Sequence, residues 1–252
     1  MSDPKVSISA IPDNPIQWKS IYTLGGIAAI FSLLAVLLDI VVGSSLGGNL
    51  AELPQTAVDR FTQFQQNPWL GLYNLDLLNT VNQLISIPLY FALYAAQRRT
   101  NKPYALLALI VFLIGTTIFV SNNTALPMLD LSHQYATATE ARQGLLAAAG
   151  EAMLARGAHG SLGVFFGFLL PTIAALVMSL VMLQGKVFGK INAYLGIAGN
   201  ILMLGYIVLV TFAPQVKTMA MAFAMPGGLV LTAWMVLLTI RLFRLGAAVD
   251  GE

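Results

Sequence analysis

The chain has 252 residues, 57% of them hydrophobic and 10% charged, with a formal net charge of +2 and a mean hydropathy of +0.77. A soluble domain carries about a quarter charged residues, so this composition excludes a water-solvated surface, and the small, dispersed charge excludes nucleic acid as a partner. The absence of cysteine excludes disulfides, thiolate catalysis and cysteine-ligated metal centres.

The opening stretch, residues 1–20, is polar and punctuated by proline. The apolar run after it is too long for a signal peptide and has no convincing cleavage site, so it is expected to stay as a membrane anchor. A hydrocarbon core about 30 Å thick needs roughly 20 apolar residues of helix. Six stretches qualify: 21–43, 71–96, 103–121, 161–184, 188–212 and 218–240. Backbone groups in lipid must be satisfied within the segment, and these runs show no two-residue alternation. The expected fold is therefore all-α: a six-helix membrane bundle over 21–244, preceded by a cytoplasmic segment and followed by a cytoplasmic tail, 245–252.

Lysine and arginine orient the bundle. Nine of the thirteen fall in the N-terminal segment (Lys5, Lys19), the 97–102 loop (Arg98, Arg99, Lys102), the 185–190 loop (Lys186, Lys190) and the C-terminal end (Arg241, Arg244). The opposite side holds Arg60, Arg142, Arg156 and Lys217. By the positive-inside rule both termini face the cytoplasm, and the long connections 44–70 and 122–160 face outward. Within the second of these, alanine-rich helical spacing predicts an amphipathic helix over 136–156, with Leu145, Leu146, Met153 and Leu154 as its large anchors. It is expected to cap the outer mouth of the bundle. No internal repeat is evident, which argues against an inverted-repeat transporter.

Asp76, Asn79, Gln83, Ser86 and Tyr90 recur at steps of three and four, so they form one face of the second expected helix. A polar row at that depth faces the bundle interior or a wet cavity; its plainer explanation is hydrogen bonding that fixes helix packing. Asp39, near the outer end of the first span, has no lysine or arginine deep within a span to neutralise it. Its expected neighbours are the amides of the second helix and Asn122–Asn123. Asp39, Asp76, Asn79, Gln83, Asn122 and Asn123, with His133, Tyr135, Glu151 and His159 from the outer connections, make up a candidate ligand-binding set.

The two histidines lack metal-ligand spacing, and the methionines of MAMAFAM (219–225) read as helix filler. No metal, cofactor or catalytic residue is expected. Gly163 and Gly167 form a small-residue strip suited to a helix–helix partner, within the chain or outside it. Nucleophile-elbow, Walker and dinucleotide motifs are absent from the sequence.

The segment ALPMLDLSHQYATATEARQGLLAAAGEAMLA (125–155), with PLYFALYAAQRR and the closing LTAWMVLLTIRLFRLG, resembles a family of bacterial multi-pass membrane proteins catalogued as domain of unknown function four-three-eight-six. The resemblance spans most of the chain beyond residue 20 and implies a six-helix bacterial membrane protein, expected in the inner membrane, with no activity to carry over. The expected function is non-enzymatic: a membrane protein that binds a small or amphiphilic ligand in an outward-facing polar pocket, or serves as a membrane subunit, with the lipid bilayer as its other partner. The alternatives are a small transporter or channel, and an intramembrane lipid-modifying enzyme using Asp39, Asp76 or His159 as acid or base.

Overall fold

The computed structural model describes residues 15–45 and 53–248. Most of the expected cytoplasmic segment, part of the first outer connection and the last four residues lie outside the described residues. The fold is all-α, without a strand among the described residues: α1 (Pro15–Ser45), α2 (Ala57–Gln66), α3 (Pro68–Tyr73), α4 (Leu77–Asn122), α5 (Ala125–Thr137), α6 (Glu140–Gly157), α7 (Leu162–Gln184), α8 (Lys190–Phe212) and α9 (Lys217–Ala248).

Five helical stretches among these residues are long and apolar enough to cross a membrane: Trp18–Gly43, Leu77–Thr137, Glu140–Gln184, Lys190–Phe212 and Met219–Ala248. The second and third expected spans are joined in α4, whose 46 residues would run to about 69 Å if straight. It does not run straight. Asn101 leaves helical geometry (φ −152°, ψ 82°), and its side-chain oxygen accepts the Tyr104 N–H, as an N-cap does for the third residue of a new helix. Pro103 follows at a position where the missing N–H costs nothing. The two limbs then lie side by side: Tyr90 stacks on Phe112 with centroids 3.7 Å apart, and the Asn123 amide donates to the Leu75 carbonyl at 2.8 Å.

Around this hairpin the long helices close a ring in which α1 packs on α4, α4 on α7, α7 on α8, α8 on α9 and α9 on α1. Close approach is bought with small residues: Gly25 faces Ala92, Gly115 faces Pro171, and Gly199 faces Leu231. Gly167 sits against Phe119 and Gly163 against the Arg156 carbonyl, so both members of the predicted strip contact their own chain. One end of the ring gathers the basic loops. There Arg98 lies 3.6 Å over the Trp18 ring, Asn101 donates to Gln184 at 2.8 Å, and Arg241 donates to the Val187 carbonyl.

The other end differs from expectation in three ways. The second span starts at Leu77, not 71, because Asn67 caps a separate short helix and Asp76 then takes a left-handed conformation (φ 60°, ψ 25°), which aspartate tolerates better than most residues. Asp76 therefore precedes the helix instead of standing on its polar face. The predicted 136–156 helix is split: α5 ends at Thr137, extended backbone at Ala138 and Thr139 turns the chain, and α6 begins at Glu140. Finally, Leu145 is 73% exposed while Leu146 and Leu154 are buried, so Leu145 is no anchor. Gly150 lets α6 press on Ala57 and Phe61, and α2, α3, α5 and α6 share a small core around Phe61, Phe64, Leu75 and Met128.

Candidate functional site

Polar side chains converge where α1, α3, α4 and α8 end beside the short helices α2, α5 and α6. Asp76 is buried, at 6% exposure, on a left-handed backbone immediately before α4. The Asn79 amide donates to it at 2.9 Å, and His159 Nδ1 lies 2.9 and 3.1 Å from its two oxygens. His159 is set by the α6–α7 connection, where Gly160 takes φ +81°. A side chain there would be strained and would also crowd the Val210 carbonyl.

The other imidazole nitrogen, Nε2, is 2.7 Å from the Tyr206 hydroxyl on α8, and Phe168 packs its edge on the ring with centroids 5.2 Å apart. In the neutral imidazole, Nδ1–H donates to Asp76 and Nε2 accepts the Tyr206 O–H. The result is a carboxylate–imidazole–phenol chain drawn from three separate parts of the sequence. Beside it, the Tyr73 hydroxyl donates to the Asp39 carboxylate at 2.9 Å and lies 3.1 Å from the Asp39 carbonyl. Burial pushes the Tyr73 phenol above its ordinary value, and the Asp39 charge and hydrogen bond push it further, with Asp76 adding to them. Tyr73 is thus a neutral donor across the physiological range.

Arg60 completes the charged set. It projects from α2 and is 4% exposed. Burial pulls its guanidinium down to about 10, against the opposing pull of Asp76. Its side chain reaches Gln63 Oε1 at 3.4 Å, and its Nε has no partner. Asn74, also 4% exposed, has neither side-chain amide atom bonded.

Of the residues singled out from sequence, Asp39, Asp76, Asn79 and His159 come together here. Gln83 does something different. Pro171 cannot donate to the Gly167 carbonyl four residues earlier, and the Gln83 amide supplies that bond at 3.1 Å. Asn122 accepts from Arg156 at 2.8 Å, and Asn123 ties the α4 limbs together. Glu151 accepts the Ala57 N–H at 2.7 Å, closing the start of α2, and the Tyr135 ring lies 5.2 Å from Phe61. His133 is exposed on α5. Among the described residues no three His, Asp or Glu side chains sit together as a metal ion would require.

Sequence reading missed Tyr73, Asn74, Arg60 and Tyr206 as members of the site. Arg60 had a signal. It shares the face of Ala57, Phe61 and Phe64 at helical spacing, a place where a cation is out of register with its neighbours.

Residues 21–241 match the family described as Domain of unknown function (DUF4386), and the chain belongs to it. No curated protein and no solved structure matches the chain.

Proposed function

We propose that this member of the family is a six-crossing membrane protein whose outward-facing polar site holds the polar end of a small or amphiphilic ligand. The crossings are α1, the two limbs of α4, α7, α8 and α9. Both termini lie in the cytoplasm of a bacterial cell and the bundle sits in its inner membrane, a reading supported by the clustering of Arg98, Arg241 and the 184–187 turn at one end. The outer helices α2, α3, α5 and α6 cover the site, with α6 as the outermost cap.

The observation that carries this reading is the Asp76–His159–Tyr206 chain. Ionisable groups at a membrane-helix end are expensive to keep, and where they persist without a structural debt to settle they mark a site. By contrast the polar row farther along α4 is spent on helix packing. Ser86 meets Ser32 at 2.9 Å, and Tyr90 donates to the Pro171 carbonyl at 3.4 Å. That favours a site closed on its inner side over a path through the membrane.

Native mass spectrometry of gently extracted protein tests the reading. The unmodified chain should carry a bound small molecule or lipid that Asp76→Asn and His159→Gln both lose. An unmodified protein without adducts, or variants with the same adducts, would overturn it. A second reading has one specific support: the 2.7 Å contact of His159 Nε2 with the Tyr206 hydroxyl is a base–hydroxyl pair capable of acid–base chemistry. On that reading Tyr206→Phe keeps the bound molecule but stops its turnover; a ligand never altered by the unmodified protein rules it out.

A further inference from the structure

We propose that Arg60 and Asn74 form the anion-recognition half of the outer site and take the phosphate group of its ligand. This rests on the ligand-site reading above and gives the ligand its chemical class.

A guanidinium carries five donors and keeps its charge throughout the physiological range. Arg60 is 4% exposed as a residue and its Nε is buried without a partner, yet its side chain makes a single hydrogen bond, to a neutral amide oxygen at 3.4 Å. It forms no ion pair among the described residues. Asp76 is the acid whose charge acts on it, but the Asp76 oxygens are taken by His159 and Asn79. The position itself does not call for a cation. Ala57, Phe61 and Phe64 on the same face are buried in the small outer core, and an apolar side chain would fill the space without the cost of desolvating a charge.

Asn74 points the same way. It closes α3, its backbone N–H bonded to the Leu70 carbonyl at 2.9 Å, and it stands two residues before Asp76. α3 is brought hard against α2 at Gly71, where a side chain would collide with the Phe64 ring. Two donors and one acceptor of its amide are thus buried and unpartnered. Buried polar groups in native proteins are almost always satisfied, and a planar guanidinium with unused donors matches the paired oxygens of a phosphate. The Asn74 NH₂ would add a third donor, and its carbonyl oxygen would accept a hydroxyl of the ligand.

A phospholipid headgroup and free phosphate share this chemistry, and the test separates them. The full-length protein in a neutral detergent is given phosphate at constant ionic strength. In parallel it is given mixed micelles of phosphatidylglycerol, with diacylglycerol as the phosphate-free control. Thermal unfolding and bound mass are recorded. Either phosphate or phosphatidylglycerol should raise the unfolding temperature of the unmodified protein, and Arg60→Met and Asn74→Leu should each weaken that binding at least tenfold. Arg142→Gln, which removes an exposed cation, should respond as the unmodified protein does. A response to phosphatidylglycerol alone identifies a lipid headgroup, and one to phosphate identifies the free anion. No response to either probe, or equal responses in all four proteins, overturns the assignment. If adducts are still lost in Asp76→Asn while neither probe binds, the phosphate class falls and the ligand site stands.

Discussion

The two ends of the bundle use polar residues for opposite purposes. Toward the basic end, the interior is a continuous apolar core around Leu89, Leu93, Phe112, Met178 and Leu238, and most of the polar groups found there are spent on packing. Gln97 reaches Met178 Sδ at 3.3 Å, and the Ser179 hydroxyl returns to the Ala175 carbonyl of its own helix. Toward the outer end the helices are short and the backbone leaves regular geometry at Asp76 and Gly160. Arg60 and Asn74 keep unpartnered atoms there; Gln97, Asn192 and Trp234 do so toward the basic end as well, but those groups are neutral, whereas Arg60 carries a charge. A membrane interior tolerates polar atoms that repair a helix. It does not tolerate a charged network without a use for it. The contrast separates scaffold from site within one chain.

The largest expected effect lies at Asp76. Asp76→Leu strands His159 and places a bulky residue at positive φ, and should cost about 3–5 kcal/mol; Asp76→Asn keeps the backbone and should cost about 1–3 kcal/mol. Thermal unfolding in detergent reads both, and unchanged stability would mean the carboxylate faces bulk water. Met178→Ala, a fully buried position in the inner half, should cost a comparable 2–5 kcal/mol or so but leave bound mass per folded molecule unchanged. Loss of ligand there would erase the division between the two ends.

Arg60→Met sharpens the comparison by reversing its sign. Without ligand it should stabilise the fold by about 1–3 kcal/mol, because it removes a poorly paired buried charge. The folded chain binds this proton less tightly than the unfolded chain does. The penalty on the unmodified protein is therefore present at neutral pH and relieved as pH rises through about 10. The two proteins should converge in stability above that pH, and a constant gap would show that packing, not charge, separates them. Smallest of all is Leu145→Glu on the open face of α6, expected within about 0.5 kcal/mol. Hydrogen exchange should find the 142–154 amides protected in both proteins, and rapid exchange would detach α6 from the site.

Much of the scaffold was legible in the sequence, because a bilayer asks the same question of every residue: apolar for about twenty positions, or not. Spans at 161–184 and 188–212 agree with α7 and α8 to within two residues. The gathering of Arg98 and Arg241 at one end was equally plain from lysine and arginine placement. Where the chain leaves lipid that uniform demand ends. The outer connection 53–76 folds into α2 and α3, whose short cores depend on partners from α5 and α6.

Sequence alone determined that this chain has the apolar helices of a membrane protein, and it placed Asp39, Asp76 and His159 in one candidate set without pairing them. Only the tertiary structure decided that Tyr206 completes their chain, that Gln83 repairs the break at Pro171, and that Arg60 and Asn74 are buried without adequate partners. The reason is physical. Hydropathy is a local sum along the chain, whereas the satisfaction of a polar atom depends on which distant helix ends beside it.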